Sequence, residues 1–342
     1  MAAEEEMPID SSCGLFGWRP TWLQMFKTPR WFVFILFLVF FLKGAPTAYY
    51  LTLDDVIRTN FGMSSEQFQW VISVQELGII PIIVFFPLIS FIPKKPVCLM
   101  LAAWVMAMGL LLCTISKFMT SNTSSSPPQY NFLTAGFFFF GLGSFIINAL
   151  SIPYIDDNVP KEESPVYVGC VLAGGLSAQF FGGLLGEFVK NGGSEEDEFG
   201  GRKDIADGGE WWAGFVLIAF GLLFASPFLA MFPNRLTDEH DTEIEEDFAI
   251  GKSKNYFVDY LKSLRRLVSN KVFMLSLLSH VFSLSVVLGF GNNFSVFLMF
   301  MFNQTSQEAK IGVVMAVTII LSSFVLVAVG AVIKYLRVKV KY

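Results

Sequence analysis

Apolar residues gather in long blocks separated by short polar ones, and a window of about 19 residues finds eight such blocks. They lie near Trp31–Leu51, Trp70–Ile92, Val97–Phe118, Phe132–Ile155, Val166–Val189, Trp211–Phe232, Val272–Phe294 and Ile311–Ile333. A helix rises ~1.5 Å per residue and a hydrocarbon core is about 30 Å thick, so each block is long enough to cross it. The pattern predicts eight spans in an all-α polytopic membrane protein. Between the sixth and seventh, the stretch from Pro233 to Lys271 starts acidic (Asp238, Glu239, Asp241, Glu243, Glu245, Glu246, Asp247) and turns basic and amphipathic at Tyr260 to Leu267. The linker is thereby expected to include an interfacial helix around Tyr260 to Leu267. The resulting organisation is an amino-terminal tail over 1–30, a six-helix bundle over 31–232, a linker over 233–271, and two further helices over 272–342. Six helices, a long linker and more helices is the layout of a transporter built from two six-helix halves.

Composition agrees with a lipid environment: 54% of the 342 residues are hydrophobic, 38 are Phe and only 15% are charged. The net charge of −5 arises in tails and loops, with no basic stripe of the kind that nucleic-acid binding needs. The first apolar block is too long and too far from Met1 for a cleaved signal peptide. If the amino terminus is cytoplasmic, inside segments hold 17 Lys and Arg and outside loops six, which the positive-inside rule favours. Asn122-Thr123-Ser124 and Asn303-Gln304-Thr305 then fall in outside loops, making Asn122 and Asn303 candidate glycosylation sites. Cys98, Cys113 and Cys170 lie in apolar spans and Cys13 in the tail, so free thiols are expected, with Cys13 a position for a lipid.

The chemistry most out of place is Lys43, inside the first block at Phe41-Leu42-Lys43-Gly44-Ala45-Pro46. A cation at that depth costs at least about 2.5 kcal/mol and normally faces a protein interior or aqueous cavity. Glu76 in the second block is expected at a similar depth, roughly 9 Å against 12 Å for Lys43. The two pair across the helices, or Lys43 offers its charge to an anionic substrate while Glu76 tunes it. Gly44-Ala45-Pro46 permits a bend in a cavity wall. Gly182-Gly183-Leu184-Leu185-Gly186 is a small-xxx-small pattern suited to close helix packing. His280 in the seventh block either relays a proton or hydrogen-bonds between helices. No metalloprotease, nucleophile-elbow or phosphate-loop motif occurs, and two histidines are too few for a histidine metal centre. The chain is not expected to be an enzyme or to hold a cofactor or metal.

Ser151-Ile152-Pro153-Tyr154-Ile155-Asp156-Asp157-Asn158-Val159, followed by Ser164-Pro165-Val166-Tyr167-Val168-Gly169, resembles the end of helix four and start of helix five in the organic anion transporting polypeptides, members of the major facilitator superfamily. Trp211-Trp212-Ala213-Gly214-Phe215 is similar to the second half of that family's helix-six signature, and Lys43-Gly44, Gln75-Glu76-Leu77-Gly78 and Phe257 to Leu267 also match. Two positions depart: Ala206 stands at the signature's Arg and Asp207 at its first Trp, while Asp204 keeps the acid. The family has twelve helices, so the chain corresponds to the first half plus two helices of the second, an apparent truncation after helix eight. The resemblance implies a sodium-independent secondary transporter moving amphipathic organic anions across the plasma membrane by alternating access. Lys43, Glu76 and His280 are accordingly expected to face substrate, on their charge and depth, and Asp156 and Asp157 to pair with Lys94 or Lys95 at the inward gate. The alternative is a short, non-transporting form that associates with a full-length relative and regulates it, as a homo- or hetero-oligomer.

Overall fold

The computed structural model describes residues 13–14, 21–82, 94–118, 128–192, 210–234, 236, 256–302 and 308–336. Its elements, in order, are a 3₁₀ turn at Thr21–Phe26 and the helices α1 Pro29–Thr52, α2 Asp54–Phe61, α3 Ser65–Leu77, α4 Lys95–Phe118, α5 Pro128–Asn158, α6 Ser164–Gly192, α7 Trp211–Ala230, α8 Tyr256–Ser269, α9 Lys271–Phe302 and α10 Glu308–Leu336. Among the described residues, six helices are long and apolar enough to cross a membrane: Pro29–Thr52, Lys95–Phe118, Tyr130–Asn158, Ser164–Lys190, Trp211–Ala230 and Val317–Leu336. The protein is an all-α polytopic membrane protein; these six helices match the first, third, fourth, fifth, sixth and eighth apolar blocks, whereas the second block is described only to residue 82 and the seventh lies in α9, which is not among the six. The glycosylation candidates Asn122 and Asn303, the signature positions 204–207 and the acidic stretch 238–247 lie outside the described residues.

Two elements differ from the sequence pattern. The block expected near Trp70–Ile92 starts earlier, at Ser65, because Ser64 forms a capping box. Its Oγ accepts from Gln67 N at 3.2 Å while Gln67 Oε1 accepts from Ser64 N at 2.9 Å. α3 stops at Leu77, helical backbone resumes at 79–82, and description ends there. The second difference is the short α2, which precedes it and has no apolar block of its own. Gly62, at φ 61°, ends α2 in the left-handed region, which a side chain would strain.

The chain divides into two compact units, Met1–Glu239 with Ile319–Tyr342, and His240–Thr318. In the first unit α1 packs chiefly on α6, α4 on α5 and α7, and α3 on α5. Glycines make these approaches possible where lipid supplies no hydrophobic drive between helices. A Cβ added at Gly182 would overlap the Ala45 carbonyl, and one at Gly141 would overlap the Gln75 carbonyl. The small-xxx-small stretch therefore packs against α1, as its spacing suggests.

Both ends of the bundle are tied by polar bonds. Tyr49 Oη donates to Trp211 O at 2.6 Å and accepts from Gly214 N at 3.2 Å, fastening α1 to the first turn of α7. At the other end Tyr154 Oη donates to Pro233 O and Asn158 Oδ1 accepts from Leu236 N at 2.7 Å, so α5 holds the segment leaving α7. All four cysteines are free thiols. Cys13 is 2% exposed, its backbone held by Gln24 through bonds of 2.9 and 2.8 Å, and burial pushes its thiol pKa up. A buried, protonated thiol suits neither lipid attachment nor reaction.

Candidate functional site

Lys43 sits in α1, 14 residues past Pro29, or about 21 Å along the helix. It is half-buried, its Nζ donates to Asn148 Oδ1 of α5, and the same ammonium lies 4.4 Å from the centre of the Phe40 ring. Among the described residues no carboxylate forms an ion pair with it. The expected Lys43–Glu76 pair is thus replaced by a Lys43–Asn148 bond, and the physical difference is large. A carboxylate partner would cancel the charge; a neutral amide orients the ammonium and leaves the net +1 in place.

Asn148 is itself exposed although it lies ten residues inside the end of α5. A polar pair at that depth is stable only toward a cavity or other protein, not toward lipid tails. Seven residues earlier on the same face is Gly141, the contact for the α3 backbone at Gln75. One face of α5 therefore gathers Lys43 from α1 and Gln75 from α3, and Gln75 Oε1 is buried with no hydrogen-bond partner. Glu76 is exposed beside it, one residue before the end of α3. Asn148 escaped the sequence reading although the signal was available: it is a lone amide in the apolar run Phe145-Ile146-Ile147-Asn148-Ala149-Leu150.

At the end of the bundle that carries the start of α1, Lys95 Nζ lies 2.6 Å from Asp157 Oδ2, joining α4 to α5. Asp156 and Lys94 are exposed there, and no ion pair joins them. A second pair at this end was not expected: Lys334 Nζ of α10 lies 2.7 Å from Glu163 Oε1, just before α6. The Lys334 hydrogen bond, with a further bond from Tyr167 and the charge of Arg30, holds the Glu163 carboxyl below its usual range. The first turn of α6 accommodates α10 closely, since a Cβ at Gly330 would come 2.6 Å from Pro165 O. His280 of α9 is exposed and its Nδ1 lies 3.0 Å from Ser276 O of its own helix. Among the described residues no cluster of three metal-ligating side chains occurs.

Comparison with known proteins matches residues 31–342 to the model of the Organic Anion Transporter Polypeptide (OATP) family. Solute carrier organic anion transporter family member 74D of Drosophila melanogaster is 24% identical over 82% of this chain and 42% of its own length. Member 4C1 of Homo sapiens is 24% identical over 86% of the chain and 46% of its own, and member 1A1 of Rattus norvegicus 29% identical over 45% and 25%. The chain thus spans less than half the length of these curated relatives. A match that covers the described helices from α1 to α10, including the lysine of α1 and the paired charges at the bundle end, leads to one conclusion: the chain belongs to the Organic Anion Transporter Polypeptide (OATP) family.

Proposed function

We propose that this protein moves amphipathic organic anions across the plasma membrane as a sodium-independent secondary transporter, by alternating access and without ATP hydrolysis. The observation that supports this most is the uncancelled charge of Lys43. A mid-helix ammonium oriented by the neutral Asn148 and flanked by the Phe40 ring offers an anion both a counter-charge and an apolar wall. Gln75 and Glu76 border the same face of α5 and would tune which anions fit. Lys95–Asp157 acts as an inward gate pair: it is exposed on both sides, so it gains little energy and can break as helices rock. In this reading the amino terminus is cytoplasmic, and Asn122 and Asn303 are glycosylated on the outer face.

The test is uptake of a radiolabelled steroid sulfate, a bulky amphipathic anion, into cells expressing the protein. Saturable uptake that falls at least tenfold in Lys43→Ala at equal surface expression, and recovers in part in Lys43→Arg, is the expected result. Equal uptake by Lys43→Ala overturns the role given to this lysine. No uptake by the wild-type chain, together with its co-purification with a longer family member, would instead favour association with and regulation of that relative.

A further inference from the structure

The transport pathway gives α8 no role, yet its surface is strongly organised. Leu261, Leu264, Leu267 and Val268 are 47, 41, 45 and 55% exposed and fall on one side of the helix. Lys262, Arg265, Arg266 and Ser269 take the other side and line one shallow, open depression. Three cations within five residues repel one another, and the apolar stripe is unfavourable in water. The boundary of an acidic bilayer is complementary to both halves, with anionic headgroups for the basic side and acyl chains for the apolar one.

The link to the next helix fixes α8 in place. Only Asn270 separates it from α9, and its Oδ1 caps that helix, accepting from Val272 N at 3.0 Å and Phe273 N at 3.3 Å. α9 opens on apolar residues, with Val272 and Leu275 77 and 68% exposed. If α9 enters the membrane where its apolar sequence begins, as its pattern predicts, a one-residue link keeps α8 at the bilayer surface. We propose that α8 seats anionic lipid headgroups: Lys262, Arg265 and Arg266 take the phosphate and carboxylate of phosphatidylserine-type lipids, while the leucine stripe rests against the upper acyl chains.

The experiment is hydrogen exchange on the full chain in nanodiscs of phosphatidylcholine alone, or with about one-fifth phosphatidylserine, at ~0.05 and ~0.5 M salt. Each basic side chain near an anionic surface contributes about fivefold, so phosphatidylserine should raise protection of the 261–269 amides by roughly a hundredfold at low salt. High salt should erase most of that gain, and the triple variant Lys262→Gln, Arg265→Gln, Arg266→Gln should lose it while keeping its protection in phosphatidylcholine and in α4. Equal protection in both lipids at both salts overturns the proposal, because the apolar stripe alone would then hold the helix. Salt-sensitive protection of the same size in phosphatidylcholine alone also overturns it, since the chain's own acidic residues, Asp238 to Asp247, would then occupy the basic side. Neither outcome depends on uptake, so a failed transport reading leaves this test intact.

Discussion

Replacing Lys43 by Met should weaken anion binding while stabilising the bundle, a pair of opposite effects that a purely structural lysine would not produce. Two charges about 4 Å apart attract by ~4 kcal/mol at an effective dielectric of about 20 and by about 1 kcal/mol in water. Lys43 is half-buried, between those limits, so an anion held by it loses about 2 kcal/mol on Lys43→Met, roughly 30-fold in Kd. The stability change has the other sign. A cation at the bilayer centre costs about 2.5 to 3.5 kcal/mol, of which partial exposure and the Asn148 bond recover a part. Losing that bond costs about 0.6 kcal/mol, the average for side-chain bonds between membrane helices. The net gain expected is about 1 kcal/mol. The purified protein reports this directly, because Cys98 and Cys113 are 6% and 1% exposed and react with a thiol-reactive fluorophore only as the bundle opens. Binding is read by equilibrium titration with a labelled steroid sulfate. A Kd changed less than about threefold, or an unfolding temperature lowered by Lys43→Met, refutes the reasoning.

Other substitutions test the frame around this site. Gly182→Ala should destabilise the bundle by about 1 to 3 kcal/mol in the same thermal assay, because its Cβ meets the Ala45 carbonyl. Gly183→Ala, one residue on, meets only Thr52 Oγ1 at 3.8 Å and should be neutral or stabilising. Exchanging the charges of the gate pair, Lys95→Asp with Asp157→Lys, should restore uptake lost in either single variant; failure of the double variant to recover removes the pair from the gate. The depressed Glu163 pKa means that its pair with Lys334 is complete above the ordinary glutamate range and is lost as pH falls through the lower folded value. Both side chains are partly exposed, so Glu163→Gln should cost well under 1 kcal/mol near neutral pH, and its unfolding temperature should meet that of the wild type only once pH has fallen below the depressed folded pKa of Glu163.

The reach of the sequence differs between the helices and the site. Lys43 could be singled out because a cation in an apolar block violates the composition of its surroundings. Lys95 with Asp157 could be narrowed to a few choices because each ends a helix on the same side. Glu76 was the natural partner for Lys43 by depth, yet depth along two helices leaves their rotation open, and rotation is what puts Asn148 rather than Glu76 within reach. The Lys334–Glu163 pair lies 171 residues apart and rests on Gly330 packing at Pro165, a contact with no periodic signature.

Backbone hydrogen bonding cannot be left unsatisfied in lipid, and that requirement alone let the apolar blocks of this chain determine helices, their approximate ends and an all-α membrane fold. It also made the basic amphipathic α8 legible before α9. Which faces of those helices meet is a different matter, because lipid tails are as apolar as leucine and give no preference for burying one side. Van der Waals fit decided it, through Gly44, Gly141 and Gly182 letting backbones touch. Only that tertiary fit turned a lone lysine and a lone asparagine, 105 residues apart, into one oriented positive charge.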